Sequence, residues 1–319
     1  MDRSALARLM SGTLRDIDGS VLPAGTRLTQ GKVRDIAELG DKLVISTTDR
    51  ISAFDRVLTV IPCKGEVLNT VSLFWFDKTA DIVPNHVVER LSARTVSAVK
   101  CRVMPVEVVV RGYLTGSAWR DYQAGRRVSG IAFRQGMRMN SRFDAPLLTP
   151  STKEEKGSHD RPISRSEILS SGIVPAKTWN RIEETALALF QRGTEIAARN
   201  GLILVDTKYE FGERDGKLYL IDEVHTPDSS RYWYADAYED LFSRGETQRE
   251  LDKEYLRRWL LSKGFKGDGE PPGIPDDIKI EVAWRYITAW EKITGSAFAP
   301  SALGQAEESE LVAKALAQA

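Results

Sequence analysis

The segment 202–212, LILVDTKYEFG, constrains the fold most strongly, because an apolar run leads into alternating charged and apolar side chains. Side chains alternate across a β-strand, so Asp206, Lys208 and Glu210 share one face while the residues between them can pack against a core. The Arg-Asp-Gly that follows at 214–216 predicts a hairpin with a three-residue loop, which places Asp222 opposite Lys208. The sequence therefore predicts a hairpin with three carboxylates and one lysine on one face.

Such a face points to a bound cation. Three carboxylates repel one another unless a positive charge lies among them. A divalent ion that also binds ATP oxygens is the simplest explanation, since magnesium prefers one or two carboxylates together with phosphates. A solvated polar strand face is the alternative, although the apolar run 202–205 is untypical of an exposed strand. A change of one residue in register would send Asp222 to the opposite face.

The composition is that of a globular protein with balanced charge. The chain has 319 residues, which suggests roughly two domains, and 45 Lys and Arg residues balance 45 Asp and Glu residues. Because nucleic-acid and anionic-membrane binders usually carry a basic excess, we expect neither partner. No apolar run approaches the ~20 residues of a transmembrane helix, and the first ten residues lack the apolar core of a signal peptide.

Cysteine and histidine are scarce. The two cysteines, Cys63 and Cys101, cannot form a disulfide framework, and the three histidines show no HExxH spacing. We therefore expect a cytoplasmic protein, in which any metal is a hard cation held by carboxylates, magnesium before zinc. The sequence leaves the oligomeric state open.

The alternation of strands and helices is irregular, and short turns join several strands. This pattern favours an α+β fold with two lobes, in which mostly antiparallel sheets pack against helices. We expect strands at 27–31, 32–39, 42–47, 87–89, 95–102, 106–111, 202–211 and 217–224, and helices at 67–80, 175–200, 276–294 and beyond 234. Residues 125–165 are expected to form a long loop, whose charged stretch 150–160 is either a substrate lid or a solvated surface.

Two further segments could bind phosphate. Gly31 lets the backbone approach phosphate oxygens, and Lys32 and Arg34 follow on one strand face, although an ordinary hairpin with surface charges explains the same residues. Arg111 precedes glycine-flanked hydroxyl groups and could bind phosphate through both guanidinium nitrogens, with Ser117 either contributing or capping a helix.

Two polar segments follow predicted strands, and each could either bind a ligand or serve only as a turn. Arg231, in PDSSRYW, comes soon after the carboxylate hairpin and is expected near its charged face, unless the segment is only a turn with a helix cap. The segment 47–55, TTDRISAFD, is similarly polar. Together these segments place anion and cation ligands at several strand ends, which favours one shared cleft.

The chain resembles the SAICAR synthetase family, the phosphoribosylaminoimidazole-succinocarboxamide synthases. Six segments carry the resemblance in order over about two thirds of the chain, and they are GKVRDI from Gly31, TTDRISAFD from Thr47, VVVRGYLTGSAW from Val108, LLTPSTKEEKGSHD from Leu147, LILVDTKYEFG from Leu202 and LIDEVHTPDSSRYW from Leu220. The C-terminal helical section resembles that of the longer form of the family.

The resemblance implies an ATP-dependent ligase of purine biosynthesis. Such an enzyme joins carboxyaminoimidazole ribonucleotide (CAIR) to L-aspartate and releases ADP and phosphate. The implied α+β fold holds ATP between two lobes, in a manner similar to ATP-grasp enzymes and protein kinases. On this basis we expect a β-rich ATP-binding lobe at 1–103, and an α+β substrate and metal lobe with a C-terminal helical section at 104–319.

The resemblance also implies roles for individual residues. ATP contacts are expected from Gly31, Lys32, Val33 and Arg34 at the phosphates and from Cys101, Arg102, Val103 and Met104 at adenine. Magnesium is assigned to Glu210 and Asp222, and catalytic roles to Lys208 and Asp206. Substrate contacts are expected from Arg111, Ser117, Arg231, Asp228, Lys153, His159 and Asp160. Arg161 and Pro162 depart from the family, which commonly has Glu-Asn there, so neither is assigned a role.

Two other functions fit the same residues. A kinase-like phosphotransferase acting on a small anionic substrate would share the ATP site, but the chain lacks HRD and DFG signatures. A nucleotide-binding protein without turnover is the second alternative, and the presence of Lys208, Glu210 and Asp222 argues against it.

Overall fold

The structure is a computed structural model that describes residues 2–54, 56–153, 161–251, 254–301 and 303–318. The chain divides into two compact units. The first unit contains Met1–Phe74, His86–Lys100 and Leu251–Ala319, and the second contains Trp75–Asn85 and Cys101–Glu250. The C-terminal helices thus belong with the N-terminal residues, whereas the sequence-based division grouped them with residues 104–250.

The helices in chain order are α1 (Arg3–Arg8), α2 (Lys64–Lys78), α3 (Gly116–Gln123), α4 (Arg165–Ser171), α5 (Ala176–Arg199), α6 (Ala235–Arg244), α7 (Glu254–Ser262), α8 (Asp276–Thr294) and α9 (Gln305–Ala317). The strands are β1 (Arg27–Gln30), β2 (Arg34–Leu39), β3 (Lys42–Thr47), β4 (Arg50–Ala53), β5 (Arg56–Val60), β6 (Val87–Arg90), β7 (Thr95–Ala98), β8 (Arg102–Val103), β9 (Val106–Tyr113), β10 (Arg142–Leu148), β11 (Ser151–Thr152), β12 (Leu202–Arg214), β13 (Lys217–Ile221) and β14 (Ser230–Tyr234). Among the described helices, none is long and apolar enough to cross a membrane.

The first unit is built on an antiparallel sheet with the strand order β1-β2-β3-β7-β6, and β4 and β5 form a separate two-stranded sheet. The predicted hairpin of β2 and β3 is confirmed. The core of the first unit includes Leu14, Ile17 and Val44, and Val312 and Leu316 of α9 pack against these residues. The sequence analysis did not identify α9, because its helical pattern gains meaning only from the sheet that it covers.

The second unit is built around the long strand β12. This strand pairs antiparallel with β9, β13, β14 and β8, and β10 and β11 pair with β9. Val205, Tyr209 and Phe211 of β12 are buried, as the alternation of the sequence predicts. The predicted helix at 175–200 is confirmed as α5, which packs against β12. The predicted α+β fold with mostly antiparallel sheets is also confirmed.

The register of the hairpin between β12 and β13 differs from the prediction by one residue. Arg214 pairs with Lys217, so the loop consists of Asp215 and Gly216 alone. Both have positive φ, 51° and 71°, as in the two-residue turns whose twist matches that of the flanking strands. Glu210 therefore lies opposite Ile221, and the predicted pairing of Lys208 with Asp222 is wrong.

The region 125–165 is not the long loop that the sequence predicts. It contains β10 and β11, and its side chains Phe133, Met137 and Phe143 pack against a small buried cluster around Leu114. β10 contains a proline, which an edge strand tolerates because one side of it makes no ladder hydrogen bonds. Residues 154–160 lie outside the described residues.

Candidate active site

Two arginines converge on one carboxylate in the second unit. Arg111 on β9 lies opposite Asp206 on β12, and Arg231 on β14 also pairs with Asp206. Arg111 Nη1 is 3.3 Å from Asp206 Oδ2, and Arg231 Nε is 3.5 Å from Oδ1. The two guanidinium groups thus share one aspartate.

Hydroxyl groups and a helix start complete this group of residues, which we call the arginine seat. Arg111 Nε donates to Thr149 Oγ1 at 2.9 Å, and its Nη2 donates to Ser117 Oγ at 3.3 Å. Gly116 begins α3 with a φ of 58°, and a side chain there would collide with the guanidinium of Arg231. The helix cap is Thr115, so the reading of Ser117 as the cap is wrong. Ser117 lies in the first turn and contacts Arg111.

The electrostatics of the arginine seat suit an anionic ligand. Burial lowers the pKa of Arg111, and the charge of Arg231 lowers it further, while Asp206 opposes both effects. A guanidinium nevertheless keeps its proton in proteins. Because guanidinium groups bind phosphate and carboxylate through two nitrogens, two neighbouring arginines favour one of these groups as ligand.

Lys208 and Glu210 lie on the same face of β12 as Asp206, two and four residues further along, and form ion pairs with residues of neighbouring segments. Lys208 Nζ donates to Glu107 Oε1 at 2.9 Å and to Glu210 Oε1 at 2.7 Å. Lys153 forms an ion pair with the other oxygen of Glu210. We call Glu107, Lys208, Glu210 and Lys153 the lysine–carboxylate chain.

The charges of this chain strongly bias its protonation. Burial alone would lower the pKa of Lys208, but the charges of Glu210, Asp222 and Glu107 together raise it. Burial would likewise raise the pKa of Glu210, but Lys208 and Lys153 hold it at about 2. Lys208 and Glu210 are therefore both charged near neutral pH.

The charge of Asp222 acts on Lys208 although the predicted pairing of the two residues is wrong. β13 ends at Ile221, and Asp222 takes a left-handed backbone conformation with φ of 67°. Aspartate tolerates this conformation better than most residues. The charge of Asp222 contributes to raising the pKa of Lys208.

Asp206, Lys208 and Glu210 share one face of β12 as predicted, but the carboxylates on this face have different partners. Asp206 is engaged by arginines, whereas Glu210 is engaged by lysines. In the part of the chain that the structure describes, no group of three or more Asp, Glu, His or Cys side chains could hold a metal ion. Glu210 and Asp222 are hard oxygen donors whose charges both act on Lys208. Each oxygen of Glu210 already pairs with a lysine ammonium group. This donor set fits a magnesium ion that takes its remaining ligands from phosphate or water.

The predicted ATP-binding residues fall in two segments. Residues 31–33 form the turn between β1 and β2 in the first unit, and Gly31 N donates to Arg34 O at 2.7 Å. Lys32 therefore lies in the turn, and its predicted place on a strand face with Arg34 is wrong. Cys101, Arg102, Val103 and Met104 lie along β8 in the second unit, where Met104 N donates to Phe211 O at 2.8 Å.

The TTDRISAFD segment contributes to the structure of the first unit. Asp49 accepts hydrogen bonds from Leu14 N and Gly65 N, both at 2.8 Å, and pairs with Arg94. Arg50 forms a buried ion pair with Asp35. These side chains are therefore committed to interactions within the first unit.

Two residues of the site were missed by the sequence analysis, and one signal could have found Glu107. Glu107 and Arg111 have the same parity on an otherwise apolar strand, so they share a face with the charged residues of β12. Thr149 gives no such signal, because its contact with Arg111 depends on the irregular pairing of β10 with β9. Asp228 lies half-buried in the loop before β14, and His159 and Asp160 lie outside the described residues.

An α+β fold that carries an arginine seat beside a lysine–carboxylate chain is suited to binding phosphate-bearing molecules. The family model for SAICAR synthetase matches residues 27–272. The chain is 48% identical over 281 residues to the phosphoribosylaminoimidazole-succinocarboxamide synthase of Bacteroides thetaiotaomicron, covering 86% of this chain and 90% of the relative. This chain belongs to the SAICAR synthetase family.

Solved structures agree with this assignment. The SAICAR synthase of Saccharomyces cerevisiae, solved in complex with SAICAR, is 35% identical, with a TM-score of 0.77 over 91% of this chain and all of that chain. A type-2 SAICAR synthetase solved in complex with ADP shares the fold, at 23% identity and a TM-score of 0.66 over 86% of this chain and all of that chain.

Proposed function

We propose that this chain is an ATP-dependent ligase of purine biosynthesis that joins CAIR to L-aspartate and produces SAICAR, ADP and phosphate. Its membership of the SAICAR synthetase family supports this activity. The observation that carries the proposal within the molecule is the placement of Asp206, Lys208 and Glu210 along one face of β12. That face brings the arginine seat next to the lysine–carboxylate chain, so an anionic substrate and a nucleotide phosphate can lie side by side.

The proposed reaction has two steps. The carboxylate of CAIR attacks the γ-phosphorus of ATP, which forms an acyl phosphate and releases ADP. The amine of aspartate then attacks the acyl carbon, loses a proton and expels phosphate, which leaves the amide. Because a carboxylate is a poor electrophile before phosphorylation, charge neutralisation and positioning are the main tasks of the protein.

The arginine seat holds the phosphate of the ribonucleotide in this proposal. Arg111, Arg231 and Ser117 contact the phosphate, and Asp206 orients the two guanidinium groups. Lys208 places its ammonium on phosphate or carboxylate oxygens of the reacting groups. Asp228, Lys153, His159 and Asp160 remain predicted substrate contacts.

Magnesium is the proposed metal, held by Glu210 and Asp222. A bound magnesium ion would neutralise charge on the phosphates of ATP. The assignment of Gly31, Lys32, Val33 and Arg34 to the ATP phosphates and of Cys101, Arg102, Val103 and Met104 to adenine also stays a prediction. The same is true of cytoplasmic location.

An assay of ADP release coupled to a spectroscopic reporter tests the function. We expect sustained ADP release, over many turnovers, only when ATP, CAIR and L-aspartate are all present, with one SAICAR formed per ADP. Sustained release of ADP without aspartate, together with accumulation of a phosphorylated product over many turnovers, would identify a kinase-like phosphotransferase instead. ATP binding without any turnover would identify a non-catalytic nucleotide-binding protein.

A further inference from the structure

Both oxygens of the Glu210 carboxylate are engaged by ammonium groups. Lys208 Nζ is 2.7 Å from Oε1, and Lys153 pairs with Oε2. The Glu210 side chain is only 10% exposed. A carboxylate this buried needs positive partners, because burial of an unpaired charge is costly. The two lysines therefore supply the charge that would otherwise come from a bound cation.

The two lysines are held very differently. Lys208 also bonds to Glu107 at 2.9 Å, and the charge of Asp222 acts on it as well. Lys153 has Glu210 as its ion-pair partner within the described residues, and its side chain is 37% exposed. Its backbone is fixed, since Lys153 N donates to Pro105 O at 3.0 Å. The ammonium of Lys153 can therefore leave Glu210 without movement of the strand, whereas Lys208 is anchored.

We infer that Lys153 is an exchangeable counter-ion of Glu210, which a divalent cation displaces from Oε2. The displaced ammonium then becomes available to an anionic group of a substrate other than ATP, which we call the second substrate. This inference rests on the proposed function, because it takes Glu210 as a metal ligand. Lys153 acts here as a positioning residue that links metal occupancy to substrate binding.

The exchange has a thermodynamic consequence. Because coupling between two ligands is reciprocal, an anionic substrate that captures Lys153 strengthens the binding of the metal. A metal that frees Lys153 strengthens the binding of that substrate by the same factor. The site would thus accept the second substrate best after the metal–nucleotide complex.

Competitive labelling of lysine amines, followed by mass spectrometry of peptides, tests the exchange. The probes are magnesium with ADP, and ADP with a chelator. We expect magnesium–ADP to increase acetylation of Lys153 severalfold over ADP with chelator, because its amine leaves the carboxylate. Lys217, an exposed lysine on β13, should label equally in both states and serves as the internal control. In Glu210→Gln, Lys153 should label rapidly without magnesium and respond little to it.

Calorimetry of magnesium–ADP binding separates the two ways in which the idea can fail. If wild-type protein binds magnesium–ADP but Lys153 labels no faster, the exchange is overturned and the proposed function stands. If Glu210→Gln binds magnesium–ADP as tightly as wild type, Glu210 is not a metal ligand, and that part of the proposed function falls with the exchange. Removal of the competing ammonium in Lys153→Met should lower the magnesium concentration needed for ADP binding, and an unchanged or higher requirement would contradict the exchange.

Discussion

Arg111 and Asp206 lie directly opposite each other on the adjacent antiparallel strands β9 and β12, with Nη1 3.3 Å from Oδ2. The other oxygen of Asp206 faces Arg231 at 3.5 Å. Asp206 therefore contacts both guanidinium groups of the arginine seat. In the proposed function Asp206 therefore holds the arginines, and the lysine–carboxylate chain, which begins two residues further along β12, binds the metal–nucleotide complex.

Replacement of Asp206 by asparagine should weaken ribonucleotide binding. The substitution keeps the size of the side chain but removes the charge that orients Arg111 and Arg231. We expect kcat/KM for CAIR to fall roughly 10- to 100-fold, which is the value of a hydrogen bond to a charged group. The KM for ATP should change little. Asp144→Asn, at a highly exposed carboxylate on β10, is the matched control and should behave as wild type. An equal loss for both substrates would refute this role of Asp206.

Replacement of Asp222 by asparagine should nearly abolish turnover while the protein stays folded. The left-handed conformation of Asp222 is also available to asparagine, so the loop should be preserved. Loss of the charge near Lys208 should misplace the nucleotide phosphates relative to the substrate, and we expect kcat to fall roughly 100-fold or more. Asp215→Asn makes the same substitution at the exposed left-handed turn of the same hairpin, and this control should keep the kcat of wild type. Near-normal kcat and magnesium dependence in Asp222→Asn would remove this residue from the site.

The buried His225 should make the stability of the protein depend on pH. Burial lowers the pKa of His225 to about 3, and its Nε2 lies 2.5 Å from the hydroxyl of Tyr209. Because the unfolded chain binds the proton near pH 6.5, stability is fully present above that pH and is lost as the pH falls toward 3. At pH 5 the loss should be about 2 kcal/mol relative to pH 7.5.

Urea unfolding of wild type and His225→Gln at pH 7.5 and pH 5 measures this contribution. The free energy of unfolding of the variant should be lower at pH 7.5 but should change less between the two pH values, by about 2 kcal/mol. Equal pH dependence of the two proteins would show that His225 accepts its proton in the folded state.

Gly193 should be intolerant of a side chain. A Cβ at this position of α5 would lie 2.7 Å from Leu204 Cδ2 and 2.9 Å from His225 Nδ1, which are atoms of buried side chains. Although alanine favours helix more than glycine does, the collision should dominate, and Gly193→Ala should lower the free energy of unfolding by about 1–3 kcal/mol. Gly273→Ala, where no atom lies within 4 Å, should stay within about 0.5 kcal/mol of wild type. Equal unfolding free energies of the two variants would contradict the close packing of α5 on β12.

The sequence predicts the charged face of β12 because strand alternation is a local property. The register of its hairpin is less secure, since Arg-Asp-Gly fits a loop of two or three residues, and one residue decides which partner faces Lys208. Asp222 lies just beyond the end of β13 in a left-handed conformation, which pairing rules do not foresee. β10 was missed because its polar residues and its proline are unlike an interior strand, and only its pairing with β9 defines it. The convergence of Arg111 and Arg231 on Asp206 likewise depends on tertiary pairing.

Separate binding of the two ligands tests the central claim that the arginine seat holds the ribonucleotide and the lysine–carboxylate chain holds the metal–nucleotide complex. Isothermal titration calorimetry gives Kd for CAIR and for magnesium–ADP in wild type, Arg111→Lys and Glu210→Gln. We predict that Arg111→Lys, which keeps the charge but loses the two-nitrogen geometry, weakens CAIR roughly tenfold and leaves magnesium–ADP nearly unchanged. Glu210→Gln should weaken magnesium–ADP and leave CAIR nearly unchanged. If each variant weakens both ligands equally, or if Arg111→Lys weakens only magnesium–ADP, the division of the site is wrong.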